Sequence, residues 1–552
     1  MTKKWEFITE AKKKTTGRLL VDDIIKTLFA SRGITKKLEI KDFLNPINPL
    51  KLTPKDVGID KTQLLKASTR IKNAIKKKES IVVYADYDAD GITAGAVMWE
   101  ALYKLGANIM PYIPHRELEG YGLSKKGIDS IKKEYNPTLI ITVDQGITAG
   151  EMVKYAKNLG IEVIVTDHHV KPEKLPECIT VHTIKLSGAG ISWFVARAVA
   201  GDKIDEDLLA ITAIGTVADM VPLVEANRSL VKYGLEALNQ TKKVGLRALI
   251  KEAGIEIGEL KTYDISHVIA PRLNAMGRLV HAMDALRLVC ATSQTKAVSL
   301  ASLLGVTNKD RQKMTTGSAL HALNKVKNTA RRKKLIFVSD ESYNQGIIGL
   351  VAGKLVDEYY LPSVVVARGE KISKASARSI AGFNIVEAVR SFKEFLVDVG
   401  GHPMAAGFTV ETKNLSKLKK NLENLAQKEL TDDKLRKVTK IDMEIPFDVV
   451  NEKLWKKLQE LAPFGMGNYE PVFATRKVLV KDLRTVGKDG NHLKVKVGDE
   501  KNIFDCIGFR MGKMYSKILS SPRVDIAYTI DMNYWNGRNN LQLKLREVRV
   551  SR

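Results

Sequence analysis

Residues 81–95, IVVYADYDADGITAG, constrain the fold more than any other stretch of the chain. Ile81-Val82-Val83-Tyr84 is a β-branched and aromatic run that reads as a buried strand. Asp86, Asp88 and Asp90 then alternate, and Gly91 follows them. After Gly91, ITAGAVMWEALYKLG carries small and apolar residues at helical spacing, and Gly106 stands where a helix C-cap would. Asp-x-Asp-x-Asp-Gly also opens a calcium EF-hand loop. That loop needs a Glu six residues after its Gly and a helix entering it. Val97 stands at that position, and the entering element is a strand. The unit is therefore strand, acidic loop, helix. It places three carboxylates at the carboxyl end of a strand, where open α/β sheets bind ligands.

The pattern repeats. Over residues 76–225 the strand-like runs IVVYA, NIMPYI, TLIITV and EVIVT alternate with amphipathic helices. That alternation predicts a parallel sheet with right-handed crossovers. With 552 residues, the chain exceeds what one core can organise. Residues 1–75 read as a basic, helical N-terminal segment. Residues 226–330 read as a helical connector containing a long helix that ends in a basic cluster. Residues 331–428 form a second α/β region, with strands KLIFVSD and SVVVARG and a helix from NIVEAVRSFKEFL. Residues 435–552 turn mostly to short strands, which predicts a small barrel or sandwich.

Three further acids follow apolar runs or small-residue turns. They are Asp144 in LIITVDQGI, Asp167 with His168 and His169 in EVIVTDHHV, and Asp219 in GTVADMVPL. Singly, each has an ordinary explanation as a helix cap. Gathered at one end of one sheet, they would repel one another unless cations held them. A carboxylate-rich set with one or two imidazoles suits Mn²⁺ or Mg²⁺ better than zinc. Cys178, Cys290 and Cys506 are too scattered for a cysteine zinc site and fit a reducing compartment. Paired metals about 3.5–4 Å apart clamp a phosphate and acidify water, so no Ser or Cys nucleophile is needed. Lys and Arg total 89 against 63 Asp and Glu, a net charge of +26, which points to a polyanionic partner. No apolar run approaches a membrane span, the N-terminal stretch lacks a signal-peptide core, and no P-loop motif occurs.

The four motifs DYDADGIT, VDQGI, TDHH and GTVADMVPL resemble, in order, those of the DHH phosphoesterase superfamily. YIPHRELEGYGLS, LSGAGISW, PRLNAMGRL, ASARSIAGFNI, GGHPMAAGF and LAPFGMGNYEPVF resemble successive segments of its RecJ family. The resemblance covers residues 75–552. It implies a DHH catalytic domain at 76–225, a DHH-associated domain at 331–428 and an OB-fold barrel at 435–552. The implied activity is a two-metal (Mn²⁺ or Mg²⁺) 5′→3′ exonuclease on single-stranded DNA, working in repair and recombination. The implied setting is the bacterial cytoplasm, as a monomer, with a helicase and a single-strand-binding protein as partners.

The same resemblance implies residue roles. Asp88, Asp90, Asp144, His168 and Asp219 would ligate metal, with Asp144 bridging and Asp86 beside them. Asp167 would orient an imidazole, and His169 would face the substrate phosphate. Arg116, Ser376 and Arg378 would hold a 5′-phosphate. Arg272, Asn274, Arg278, Gly400, Gly401 and His402 would line the same cleft. In the barrel, Trp535 is the candidate base-stacking residue, with Phe504, Phe509 and Tyr534 as alternatives. Two departures stand out: Tyr343-Asn344 replaces a Trp-His pair common in RecJ proteins, and Gln145 replaces a frequent Cys. Two other readings remain open at this stage. One is a DHH phosphodiesterase of short oligonucleotides or cyclic dinucleotides. The other is a non-catalytic DNA-binding relative that has lost metal ligands.

Overall fold

The computed structural model describes residues 3–9, 19–328, 333–535 and 538–551. The first α/β unit is built on five parallel strands. Their order across the sheet is Asn108–Tyr112, Ser80–Ala85, Leu139–Val143, Glu162–Asp167, Ile179–His182. Helices cover both faces, so Ser80–Ala85 and Leu139–Val143 are buried almost throughout, as their unbroken apolar runs require. The chain starts mid-sheet, steps to one edge, then returns past its start and continues the other way. The order reverses between Ser80–Ala85 and Leu139–Val143, and their carboxyl ends open a crevice there. The fifth strand, Ile179–His182, has no counterpart among the four strand-like runs. Its four residues are too few for periodicity to register.

Residues 225–326 are helical, ending in one 33-residue helix, Gln294–Val326. The expected basic cluster at its end falls partly on residues 329–332, which lie outside the described residues. The second α/β unit holds a mixed sheet ordered Leu396–His402, Ala405–Glu411, Ile372–Arg378, Ser363–Ala367, Ile336–Asp340. Only its last pair is parallel. The helix expected over NIVEAVRSFKEFL is Ile385–Arg390 alone, and the chain enters a strand at Leu396. GGHPMAAG forms the turn of that antiparallel hairpin.

At the C-terminal end, Phe473–Val486, His492–Gly498, Ile503–Gly508, Arg538–Val550 and Arg523–Trp535 pair in that order. Arg523–Trp535 then pairs back onto Phe473–Val486, which closes a five-stranded barrel. The N-terminal residues join this end of the molecule. Lys4–Phe7 pairs in parallel with Val438–Ile441, and Ile24, Leu28 and Phe29 enter the barrel-side core.

Candidate metal centre

The acids of the centre arrive at the crevice on several elements, with Asp88 and Asp90 sharing the start of one helix. Asp86 ends the strand Ser80–Ala85 and is buried, its Oδ1 accepting from the Tyr87 N–H at 2.7 Å. Asp88 is the N-cap of helix Ala89–Lys104. Its Oδ1 accepts from the N–H groups of Asp90 and Gly91, both at 3.0 Å. Asp90 accepts from the Gly188 and Ala189 N–H groups at 2.6 and 2.9 Å, the start of helix Gly188–Ala200. That helix terminus favours negative charge at this spot.

Asp144 follows Leu139–Val143 with φ +61°, a left-handed conformation that Asp tolerates better than most residues. The close neighbour of Asp144 is Gly188. A Cβ there would lie 2.4 Å from Asp144 Cβ, so only glycine fits. His168 Nε2 lies 3.0 Å from Asp144 Oδ1, 3.7 Å from Asp219 Oδ2 and 4.0 Å from Asp90 Oδ2. Asp219 caps the C-terminal end of helix Asp207–Ala218. Three ligand sets result, each with its atoms within 4.8 Å of one another: Asp90-His168-Asp219, Asp86-Asp88-Asp144 and Asp144-His168-His169.

These residues fit divalent cations. Asp144 Oδ1 is fully buried and accepts no hydrogen bond, although His168 stands at hydrogen-bonding distance. A buried acceptor left unmade costs about 1–3 kcal/mol, and an ion between the two groups would remove that cost. Burial, then neighbouring carboxylates, push Asp86 and Asp144 well above the usual carboxylate range. The same causes push Asp90 to about 7 and Asp219 to about 9. Without cations the cluster holds protons, and cations would displace them. Burial, then His169, hold His168 down at about 4, so it is the neutral imidazole a metal requires.

His169 has the opposite fate. Burial works against its charge, but Asp167 Oδ1, 2.7 Å from its Nδ1, outweighs burial and raises it to about 9. Asp167 is itself fixed by the backbone N–H groups of Ile147, His168 and His169. Beside His169 opens a cavity of about 420 Å³, lined in part by Tyr121, Gln145 and Glu151.

The expected residues farther from the acids divide. Arg116 lies 5.0 Å from the Tyr87 ring. Arg278 donates to the Gly346 carbonyl at 3.1 Å, and burial, then Arg116, Arg378 and Arg311, lower it to about 10. Four guanidiniums thus share one region. Arg311, on the long helix, is absent from the sequence-based candidates because nothing in its local sequence marks it. Arg378 donates to Ser376 Oγ at 3.2 Å. Asn274 accepts from the Ala89 N–H at 2.8 Å, bracing the acidic loop from behind. Arg272 is bound to Glu252 at 2.6 Å and to the Val268 carbonyl.

Gly400, Gly401 and His402 are exposed on the hairpin, and the His402 charge contributes to lowering His168. In the barrel, Phe504 packs on Phe447 with centroids 4.9 Å apart, whereas Phe509 is exposed. Trp535 ends its strand, but its side chain and that of Tyr534 lie outside the described residues. Tyr343 is buried, its hydroxyl 3.1 Å from His321 Nδ1, so an imidazole of the long helix stands in that region.

Comparison with known proteins matches the DHH family N-terminal domain at residues 80–216, the DHHA1 domain at 312–428 and the RecJ OB domain at 441–547. The single-stranded-DNA-specific exonuclease RecJ of Bacillus subtilis strain 168 is 35% identical over 551 residues, covering 98% of this chain and 69% of that protein. The chain belongs to the RecJ family. The RecJ of Haemophilus influenzae is 30% identical, covering 94% of this chain and 95% of its own. The crystal structure of Thermus thermophilus RecJ in complex with Mn²⁺ superposes with a TM-score of 0.83 at 28% identity, over 96% of this chain and 76% of that one. RecJ membership accounts for the order of parallel-sheet unit, long helix, mixed-sheet unit and closed barrel. The Mn²⁺ in the Thermus protein agrees with the cation fit reached from the acids alone.

Proposed function

We propose that this chain is a divalent-metal-dependent exonuclease that hydrolyses single-stranded DNA from its 5′ end. The observation that carries the reading is the buried Asp144 oxygen without a hydrogen-bond partner, lying between two ligand sets. Asp90, His168 and Asp219 would hold one ion, Asp88 with Asp86 would hold a second, and Asp144 would bridge them. Mn²⁺ or Mg²⁺ there acidifies water and offsets charge building on a phosphate.

The chain's own groups do the rest. Asp167 keeps His169 protonated through neutral pH, so its exposed face can donate to a phosphate oxygen. Arg116, Arg278, Arg311 and Arg378, with Ser376 bonded to Arg378, form a cationic cluster suited to a terminal phosphate. A strand anchored there by its 5′-phosphate is cut one nucleotide in, which sets the polarity. The barrel and the +26 net charge support a long polyanionic substrate over a dinucleotide. Such a substrate arises from strand separation, so a helicase and a single-strand-binding protein are the partner classes that fit, in the cytoplasm.

Product analysis on single strands labelled at the 5′ or 3′ end tests this. With Mn²⁺ the 5′ label should appear at once as mononucleotide while the 3′ label stays on shortening strands, and EDTA should stop both. Earlier release of the 3′ label, or faster turnover of a dinucleotide than of a long strand, contradicts it.

A further inference from the structure

Asp219 differs from the other acids of the centre in following a helix, Asp207–Ala218, where the others stand on strand ends or at a helix start. After it the chain turns through Met220 at φ +60° to Val221, Pro222 and Leu223, and helix Glu225–Gln240 begins. Within the chain nearby, the turn is held by the Asp219 and Met220 N–H groups on the Gly215 and Val217 carbonyls and by the Asn227 amide on the Pro222 carbonyl. Pro222 and Leu223 also rest against a segment about 240 residues later in the chain.

The segment 461–468, LAPFGMGN, immediately precedes the barrel and packs against Pro222 and Leu223 of that turn. Leu223 N–H donates to the Met466 carbonyl at 2.7 Å. Gly467, at φ +72°, packs so closely that a Cβ would lie 3.0 Å from Pro222 Cβ and 3.3 Å from Pro222 Cα. A Cβ at Gly465 would meet Leu223 Cδ1 at 2.6 Å.

The segment is in turn held rigid from several sides. The buried Asn468 amide donates to the Leu461 and Pro463 carbonyls, both at 2.9 Å. The buried Arg228, from the helix after the turn, donates to the carbonyls of Leu461 at 3.0 Å and Ala462 at 2.7 Å. It also donates to the Phe43 carbonyl and stacks on the Phe43 ring. Thr262, in the helical connector, donates to the Phe464 carbonyl at 2.6 Å. Four parts of the chain therefore meet around the segment that touches the turn three and four residues after one metal-site acid.

We propose that segment 461–468 is a positioning element for Asp219, so that the ion held by Asp90, His168 and Asp219 is bound tightly only while the C-terminal unit is docked on Pro222 and Leu223. This rests on the two-ion reading above. It makes the barrel more than a strand-holding module, because its docking also completes the catalytic site. By linkage, ion binding should in turn tighten the docking.

Mn²⁺ titration of the full-length chain, read by calorimetry and by electron paramagnetic resonance, tests it. Wild type should bind two ions and give the spectrum of a spin-coupled pair. Gly467→Ala should weaken one ion by about tenfold, as outer contacts of a metal site commonly do, and leave the other unchanged. At intermediate Mn²⁺ its spectrum should then be that of a single, uncoupled ion. Thr262→Val, which removes one hydroxyl contact and is milder, should shift the same ion in the same direction if Gly467→Ala folds poorly. Hydrogen exchange at Leu223 and through 464–468 should slow when wild type takes up Mn²⁺. Unchanged affinities in both variants, or equal weakening of both ions, overturn the inference while leaving the functional reading intact. A wild-type chain that takes up no Mn²⁺ overturns both.

Discussion

His168 and His169 are neighbours with opposite charge states, and the difference comes from one atom. Asp167 Oδ1 bonds His169 Nδ1 and both backbone N–H groups, while His168 turns into the acids. Strand alternation predicts from the sequence TDHH that the two need not share a role. The strand stops at Asp167 and the rings lie side by side, centroids 4.6 Å apart, so the roles differ through Asp167 and not through opposite faces. The sequence does not say which one Asp167 holds, because that depends on the Ile147 N–H fixing the carboxylate from a separate loop. In wild type His169 stays protonated until about pH 9. Asp167→Asn removes the charge that keeps it so and leaves burial acting against the proton, so the ring should titrate well below its wild-type value, at or under the ordinary value of about 6.5. Relative to wild type, the variant's rate should fall more at pH 8 than at pH 6, and the ratio between the two pH values cancels any pH-independent structural cost. A pH–rate profile parallel to wild type would show that the His169 charge has no part in the reaction.

Elements, more than motifs, decide where the acids converge. Three of the four strand-like runs at 81–166 are legible because both faces of the sheet are buried there, which makes them near-continuously apolar, whereas the edge strand Asn108–Tyr112 is partly exposed. Asp86 and Asp144 are therefore assignable to strand ends from the amino-acid pattern alone. The start of helix Gly188–Ala200 is harder to read. LSGAGISW is a small-residue run, and nothing in it says that its first N–H groups point at Asp90, nearly a hundred residues earlier. In the second unit, NIVEAVRSFKEFL reads as one helix but is not, because VRSFKEFL keeps apolar residues at helical spacing right up to a strand that pairs with Ala405–Glu411. The tight seat of Gly188 yields a prediction at this scale. Gly188→Ala puts a methyl against Asp144 and should cost about 1–3 kcal/mol in unfolding free energy by overpacking. It should also weaken Mn²⁺ binding, since Asp144 must move. Denaturant unfolding and Mn²⁺ titration check it, and wild-type values in both would show that the seat is looser than its geometry indicates.

Across the whole molecule, the C-terminal barrel is readable from five strand-like runs, three of which are 13 or 14 residues long, but its closure through Arg523–Trp535 and Phe473–Val486 is not, since that pairing joins strands well separated in the chain. The N-terminal residues read as a separate helical segment. Helices Val21–Ser31, Lys37–Leu44 and Lys61–Lys76 are there, but the segment divides: Lys4–Phe7, Ile24, Leu28 and Phe29 join the C-terminal end, while Leu64, Ala67 and Ile71 pack in the core of the first α/β unit. A non-catalytic relative would have lost ligands, whereas Asp88, Asp90, Asp144, His168 and Asp219 all reach one centre. The account turns on Asp144, the acid shared by two ligand sets, and one assay addresses it directly. Mn²⁺-dependent release of mononucleotides from a 5′-phosphorylated single strand should fall by more than about a hundredfold in Asp144→Ala, with the circular dichroism spectrum unchanged. A folded Asp144→Ala protein that degrades the strand at the wild-type rate would contradict the metal centre as the seat of the activity.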